Sequence, residues 1–546
     1  MKLSNKIIII VLLSLATVVE SQAQWAWAKQ LGGTSDEFGG NIITDLSGNS
    51  YFTMGSRGTC YFQTDTLSVN GYNDFFLIKY DNNGNELWVK QFGGNNISSR
   101  TESSGGICFD ETSNFVYMTG RFSGVAFFGS TTLNTSSTAF FLAKFDLDGN
   151  CIWAKQSVGG NQVNGSDVTI DDFGNLYVCG INSDSTSFDS FTIPAGGFIA
   201  KYDANGNCIW AKNKFRYQAI TNSEAQPSGI KTFNSSIVVS GSVTNDTIEV
   251  DTIVALGKGN NSAFITTFDL EGNARWIKLY GGNGAGGGSD FSIDNEGNSY
   301  ISGIFSGIGY FDTTTLSNGM QNDAFLIKCD TNGNLKYVNQ LSATGGAKGI
   351  NAYTDVDKNV YMVGYFAGTA NFGAYTITAS SPRDMFVARY DSVGTCLGVH
   401  NFGRAESWGI SSNINSYWVS GFFNSTTITI GSNNFTNFGF GSDFFIAKGD
   451  APIGIETYQE RKTANALHIY ANPNKGTCNI TIPDDLLNEQ NLVLTIYDIN
   501  GKIIQQQQVQ IEQEKIKINL EAEAKGVYNV TLGNKMKMYN GKIVFE

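Results

Sequence analysis

The chain has 546 residues, 41% hydrophobic and only 16% charged, which suits large buried cores and excludes a disordered polymer. Lys and Arg number 36 against 49 Asp and Glu, a net charge of −13 with no basic run, so nucleic acid and anionic membrane surfaces are poor partners. With two histidines in all, His400 and His468, a histidine-based nucleophile site or a multi-histidine metal centre has little to be built from.

Met1 to Lys6 carries two lysines, Ile7 to Val19 is a short apolar run, and Ser21-Gln22-Ala23 offers small residues for a peptidase. We read residues 1–23 as a signal peptide cut after Ala23. The run falls short of the ~20 residues a membrane span needs, and the first cysteine is Cys60, so none follows the cut to accept a lipid. No later segment is long and apolar enough to span, so no integral membrane span is expected once the signal is removed.

Residues 24–450 are dominated by a repeat of about 60 residues. The phrase F-x-x-K-x-D-x-x-G recurs from Phe76, Phe141, Phe198, Phe264, Phe325 and Phe386, and a seventh copy from Phe445 stops early. A strand ending in glycine keeps pace at Gly55, Gly120, Gly180, Gly241, Gly303, Gly364 and Gly421. A third phrase, W-x-K followed by paired glycine, surrounds Trp27, Trp88, Trp153, Trp210 and Trp276, and decays to Tyr337 and Gly398.

Each repeat therefore reads as four short strands, a to d, rich in Val, Ile, Tyr, Phe and Trp. D-x-x-G suits a type I turn closed by a glycine at positive φ, linking a to b and c to d. These loops carry Asp and Asn beside Gly, but the spacing is wrong for an EF-hand, so turn chemistry rather than calcium is expected. Strand c is apolar on both faces and must be covered on both. Stacking seven such sheets around an axis does this. The lone strand d from Trp25 would complete the last sheet, so the expected fold is an all-β, seven-bladed β-propeller of four-stranded blades, closed by the N-terminal strand.

These strings resemble the bacterial SBBP-type β-propeller repeats over about Trp25 to Asp450, with the fourth blade departing because Thr267 replaces the lysine. The resemblance speaks to fold and is silent on ligand. Cys151, Cys208 and Cys396 fill one slot of the repeat and read as small apolar filler rather than disulfide partners.

Residues 451–466 read as a linker, and residues 467–546 as alternating strands. Tyr470-Ala471-Asn472-Pro473-Asn474-Lys475-Gly476, Tyr497-Asp498-Ile499-Asn500-Gly501-Lys502, Gly526-Val527-Tyr528 and the terminal Lys542-Ile543-Val544 resemble the C-terminal sorting domain of type IX secretion, a small Ig-like β-sandwich found in Bacteroidota. Ala471 departs from the family's proline. The resemblance implies Sec export to the periplasm, delivery to the outer surface or medium, and the type IX machinery as a partner.

No catalytic, cofactor or metal residues are assigned, because most aspartates that can be placed fall in repeated turns and no acid stands out as breaking the repeat. His400 reads as a strand residue, and the glycine pairs lack the following helix of a phosphate loop. The a–b and c–d connections are tight, whereas b–c and d–a are expected to be long and irregular. Recognition belongs on such loops, where Arg57, Arg121, Tyr217, Arg383 and Arg404 are the candidate ligand residues. The expected function is a non-enzymatic surface binding or adhesion protein for a glycan, peptide or protein. The alternatives are an extracellular polysaccharide hydrolase or lyase and a structural envelope or matrix component.

Overall fold

The structure is a computed structural model, describing residues 25–94, 102–215, 224–450 and 467–545 apart from 246, 260, 285, 319–320, 414–415, 440, 484–485, 488–491, 499–502, 510–514 and 535–537. The signal segment, the linker, Tyr217, Gly501 and Lys502 lie outside the described residues. Strand pairing there gives seven four-stranded antiparallel sets. The first runs through Ile42–Thr44, Ser50–Ser56, Asp74–Tyr80 and Glu86–Gly94. The last joins Glu406–Ser412, Ser416–Phe423 and Asp443–Asp450 to the N-terminal Trp25–Gly33, with Ala28 opposite Ala447. The last and first sets also meet at their inner strands, where the Thr44 and Ser411 hydroxyls are 2.9 Å apart.

The repeated phrases form two contacts. Strand b's terminal glycine lies under strand c's phenylalanine: a Cβ on Gly180 would stand 2.0 Å from the Asn164 carbonyl and 2.7 Å from the Phe198 ring. The same crowding by the facing phenylalanine recurs at Gly120, Gly241, Gly303, Gly364 and Gly421.

The second contact joins neighbouring blades. Lys79 Nζ and Trp88 Nε1 both donate to the Leu147 carbonyl in the next blade's c–d turn, at 3.2 and 2.9 Å. Lys144 and Trp153 converge on the Ala204 carbonyl, and Lys448 and Trp27 on that of Asn82. The turn is held by its aspartate: Asp146 Oδ1 accepts the N–H groups of Asp148 and Asn150, and Gly149 N–H donates to the Asp146 carbonyl. Gly149 has φ +75, and a Cβ there would stand 2.9 Å from the Trp88 ring. Motifs of strand c, strand d and the turn are thus parts of one inter-blade latch.

The strand c cation also faces an aromatic residue of strand b, as in Lys79 over Tyr51 at 4.9 Å and Lys328 over Tyr300 at 4.9 Å. The fourth blade pairs Val238 with Thr267 instead, and the buried Thr267 hydroxyl has no hydrogen-bond partner among the described residues. Cation and ring are lost together. Thr267→Lys alone is expected to destabilise by about 1 to 2 kcal/mol, and adding Val238→Tyr to recover about 1 kcal/mol of coupling in a double-mutant cycle read by urea unfolding.

The b–c connections differ from expectation. They carry a regular hairpin, such as Thr59–Tyr61 with Thr66–Ser68 or Thr369–Phe372 with Tyr375–Thr378. The end of the preceding blade's strand d adds to it: Gly32 and Gly33 pair with Tyr61 and Cys60, and Gly93 and Gly94 with Phe127 and Ala126. Side chains do not fit there, since a Cβ on Gly94 would stand 1.7 Å from the Val125 carbonyl. The variable surface therefore shrinks to the d–a loops and the ends of the b–c connections.

All eight cysteines are free, with Cys151, Cys208 and Cys396 in equivalent strand d positions. His400 pairs with Val387 within its sheet, and burial lowers its imidazole to about 4. The C-terminal module packs a sheet of His468–Tyr470, Thr477–Thr481 and Lys515–Asn519 on one of Ile503–Val509, Leu492–Tyr497, Gly526–Gly533 and Met538–Phe545, around Ile480, Leu494, Ile518 and Ile543. No helix among the described residues is long and apolar enough to cross a membrane.

Candidate functional site

Strand a of every blade lines a central channel of about 510 Å³. Most of its wall is uncharged, with hydroxyls linked across blade boundaries at Thr44 and Ser411 and at Ser292 and Thr354. Charge concentrates where Asp167 of the third blade, Lys231 of the fourth and Asp290 of the fifth come together. Lys231 Nζ lies 2.7 Å from Asp167 Oδ2, which also accepts the Ile230 N–H at 3.0 Å, while Asp167 Oδ1 accepts the Val168 N–H at 2.8 Å. Asp290 accepts the Phe291 N–H at 2.8 Å.

Glycines in the preceding blades make room for both acids. A Cβ on Gly106 would stand 1.9 Å from Asp167 Oδ1, and one on Gly229 2.8 Å from Asp290 Oδ1. Enclosure works against the Lys231 charge, but Asp167 and Asp290 hold its ammonium above the usual lysine range. Burial raises the Asp290 carboxyl to about 6 against the pull of Lys231, and Asp167 adds to the rise.

These acids correct the expectation that none breaks the repeat. The signal was present: Ser166-Asp167 and Ser289-Asp290 stand ahead of the turn aspartates, where other blades have Gly106, Asn351 or Gly409. Among the described residues no group of three or more His, Cys, Asp or Glu is placed to hold a metal ion.

On the loop face the structure brings two of the candidate residues together. Arg383 and Arg404 line a depression of about 220 Å³ with Pro382, Glu406 and Phe422 at the seam of the sixth and seventh blades. Arg383 is held over the Tyr365 ring at 4.9 Å and lies 3.6 Å from Glu406, whereas Arg404 is exposed and has no ion-pair partner among the described residues. Arg57 is elsewhere, paired with Asp36 at 3.1 Å and stacked over Phe38. Arg121, expected on a loop, lies inside the Phe115–Phe128 strand opposite Phe140, with its Nε buried and its guanidinium lowered by burial.

Trp408, missed in the sequence, is 42% exposed beside the depression, its ring 6.1 Å from that of Phe422. It occupies the bulge between Ser407 and Gly409 of strand a. The corresponding bulge residues are Ser166, Ser228 and Ile350 in the third, fourth and sixth blades.

In the C-terminal module the quoted motifs clamp the opening loop to the last strand. Asn472 Nδ2 donates to the Lys542 carbonyl at 2.6 Å, and its Oδ1 accepts the Val544 N–H at 2.7 Å. Asn474 N–H donates to the Val544 carbonyl at 2.8 Å, and Asn474 Oδ1 accepts the Gly476 N–H at 2.8 Å. Gly476 has φ +109 and would crowd Glu521 with any side chain. Tyr470 ends the strand before Pro473, Asp498 follows the strand ending at Tyr497, and the Tyr528 hydroxyl donates to the Ala524 carbonyl after Gly526.

Residues 468–546 match the family model of the secretion system C-terminal sorting domain, and residues 152–189 that of the SBBP β-propeller repeat. The chain is a β-propeller repeat protein with a secretion sorting domain. Its sorting domain addresses it to the type IX machinery, and so to the cell surface or the extracellular space.

No curated protein matches this propeller protein. Among solved structures it is similar to a PL25 ulvan lyase, a polysaccharide lyase, at 10% identity and TM-score 0.39, covering 76% of this chain and 97% of that one. It is also similar to the extracellular domain of a one-component system from B. thetaiotaomicron, at 14% identity and TM-score 0.30, covering 94% of this chain and 74% of that one.

Proposed function

We propose that this is a non-enzymatic binding or adhesion protein, exported by way of a cleaved signal peptide and displayed on or released from the cell surface. The observation that carries the reading is the seam of the sixth and seventh blades, where exposed Arg383 and Arg404 line one depression and exposed Trp408 packs against Phe422 of its wall. The channel charges, by contrast, are largely satisfied within the wall: Asp167 is occupied by two backbone N–H groups and Lys231.

Full-length protein from a type IX-competent host, tagged in the linker near Arg461, tests the reading on glycan and protein arrays. Retention on a partner, with a loss of at least tenfold in Arg404→Ala, is expected. A chain truncated after Ala451 is expected to stay in the periplasm, and equal surface exposure of both chains would assign the last module a role other than sorting.

A second reading, a polysaccharide hydrolase or lyase, is favoured by one observation: Asp290 is raised to about 6 beside Asp167 in the channel. Two carboxyls facing one channel, with Asp290 raised by burial, are the equipment of glycoside cleavage. Depolymerisation of any polysaccharide that is abolished by Asp290→Asn would establish it and displace the binding reading.

A further inference from the structure

We infer that the depression at the seam of the sixth and seventh blades is a subsite for an acidic sugar, a pyranose carrying a carboxylate or sulfate, stacked on Trp408 with its anionic group on Arg404. The inference deepens the binding reading and rests on it. Its first support is Trp408 itself. An exposed indole costs apolar hydration, yet this one stands where aligned strand bulges of other blades carry Ser166, Ser228 and Ile350, so the scaffold does not require an aromatic ring there. A flat, half-exposed indole beside Phe422 offers an apolar face with a polar edge, which suits the C–H face of a sugar ring.

The second support is charge. Two guanidiniums and one carboxylate border the depression, leaving a net positive charge on a chain of net −13. Arg383 is already engaged by Glu406 at 3.6 Å and by the Tyr365 ring. Arg404 is left with its planar fork open, and that geometry matches a carboxylate or sulfate through two parallel N–H donors. Glu406 then acts as a counterweight: it fixes Arg383 and opposes a second negative charge, which limits the subsite to one anionic group per ring.

The test is titration of the full chain, by calorimetry and tryptophan fluorescence, with hexamers of galacturonate, hyaluronan oligomers and sulfated galactan oligomers, using maltohexaose and cellohexaose as neutral controls. At least one acidic oligomer is expected to bind, weakening several-fold between 50 and 200 mM salt, roughly as an exposed ion pair is screened. Trp408→Ala and Arg404→Ala should each cost tenfold or more, Trp408→Phe and Arg404→Lys less. Glu406→Gln should tighten acidic oligomers about threefold and leave neutral ones unchanged. An unchanged unfolding temperature in each variant establishes that the surface, not the fold, was altered.

Binding of neutral and acidic hexamers with equal affinity overturns the assignment, as does acidic binding that survives Trp408→Ala. If none of the oligomers binds while the protein still captures an array partner in an Arg404-dependent way, the sugar subsite is wrong and the binding reading stands. If the array is also blank, both fall.

Discussion

Gly180→Ala is expected to unfold the propeller at a temperature several degrees below the parent, corresponding to a loss of about 3 kcal/mol. A single methyl is enough because of where it would go: 2.0 Å from the Asn164 carbonyl and 2.7 Å from the Phe198 ring. Both neighbours belong to flanking strands of the same sheet, opposite Ile181 and Gly180 respectively. Neither can retreat without breaking ladder hydrogen bonds, and the ring is fully buried. Gly174→Ala separates this effect from ordinary backbone preference. Gly174 has φ +81 but nothing within 4 Å of its Cβ position, so only the left-handed backbone penalty of about 1 kcal/mol applies. Thermal unfolding of the two full-length variants decides the matter. Equal losses would show that the b-strand glycine serves conformation rather than close packing.

That contrast explains how much was legible beforehand. The four-strand repeat, the turns, the closing strand from Trp25 and the sorting module are written in local phrases, each a short-range pattern repeated often enough to be seen. The positional meaning of the phrases was less visible. Lys79, Trp88 and the turn at Leu147 are far apart in sequence and meet only when one blade docks on the next. The b–c hairpins read as irregular in the sequence because their strands are short, as in Thr59–Tyr61, and owe part of their order to the preceding blade's strand d.

The site was legible in part. Arg383 and Arg404, candidates from the loop face, line one depression, whereas Arg57 pairs with Asp36 and Arg121 lies inside the Phe115–Phe128 strand. Trp408 carries no mark in the sequence, since it lies outside the repeated W-x-K phrase and falls within strand a. It falls at the bulge between Ser407 and Gly409 and is exposed. Asp167, Lys231 and Asp290 come from three different blades, and their meeting is a property of the ring, not of any one repeat.

The same logic of acids outside the turns gives the second large effect. Glu37 and Glu102 are 2% and 1% exposed, at the boundaries of the first blade with its two neighbours. Glu37 accepts from the Ser56 hydroxyl at 2.9 Å and feels Asp443, and Glu102 feels Asp74. Burial pushes both carboxyls up to about 8. Since a free glutamate titrates near 4.5, the folded protein holds two protons that the unfolded chain releases between 4.5 and 8. The stability they contribute is therefore complete below 4.5 and is lost as pH rises through 8. Several groups work in the opposite sense. The turn aspartates Asp203 and Asp269, net lowered by hydrogen bonds from Asn207 and Asn273 despite some burial, lose their contribution as pH falls. His400, held neutral down to about 4, adds to that acid limb. The alkaline limb belongs to the glutamates. Glu37→Gln and Glu102→Gln, which keep the shape without the charge, are expected each to stabilise the protein by about 2 kcal/mol at pH 9 and to change little at pH 5. The double variant should flatten the fall in unfolding temperature between pH 6 and pH 9. A slope that survives in the double variant would assign the alkaline sensitivity to other buried acids, Asp74 and Asp443 first among them, since burial raises both and each faces one of these glutamates.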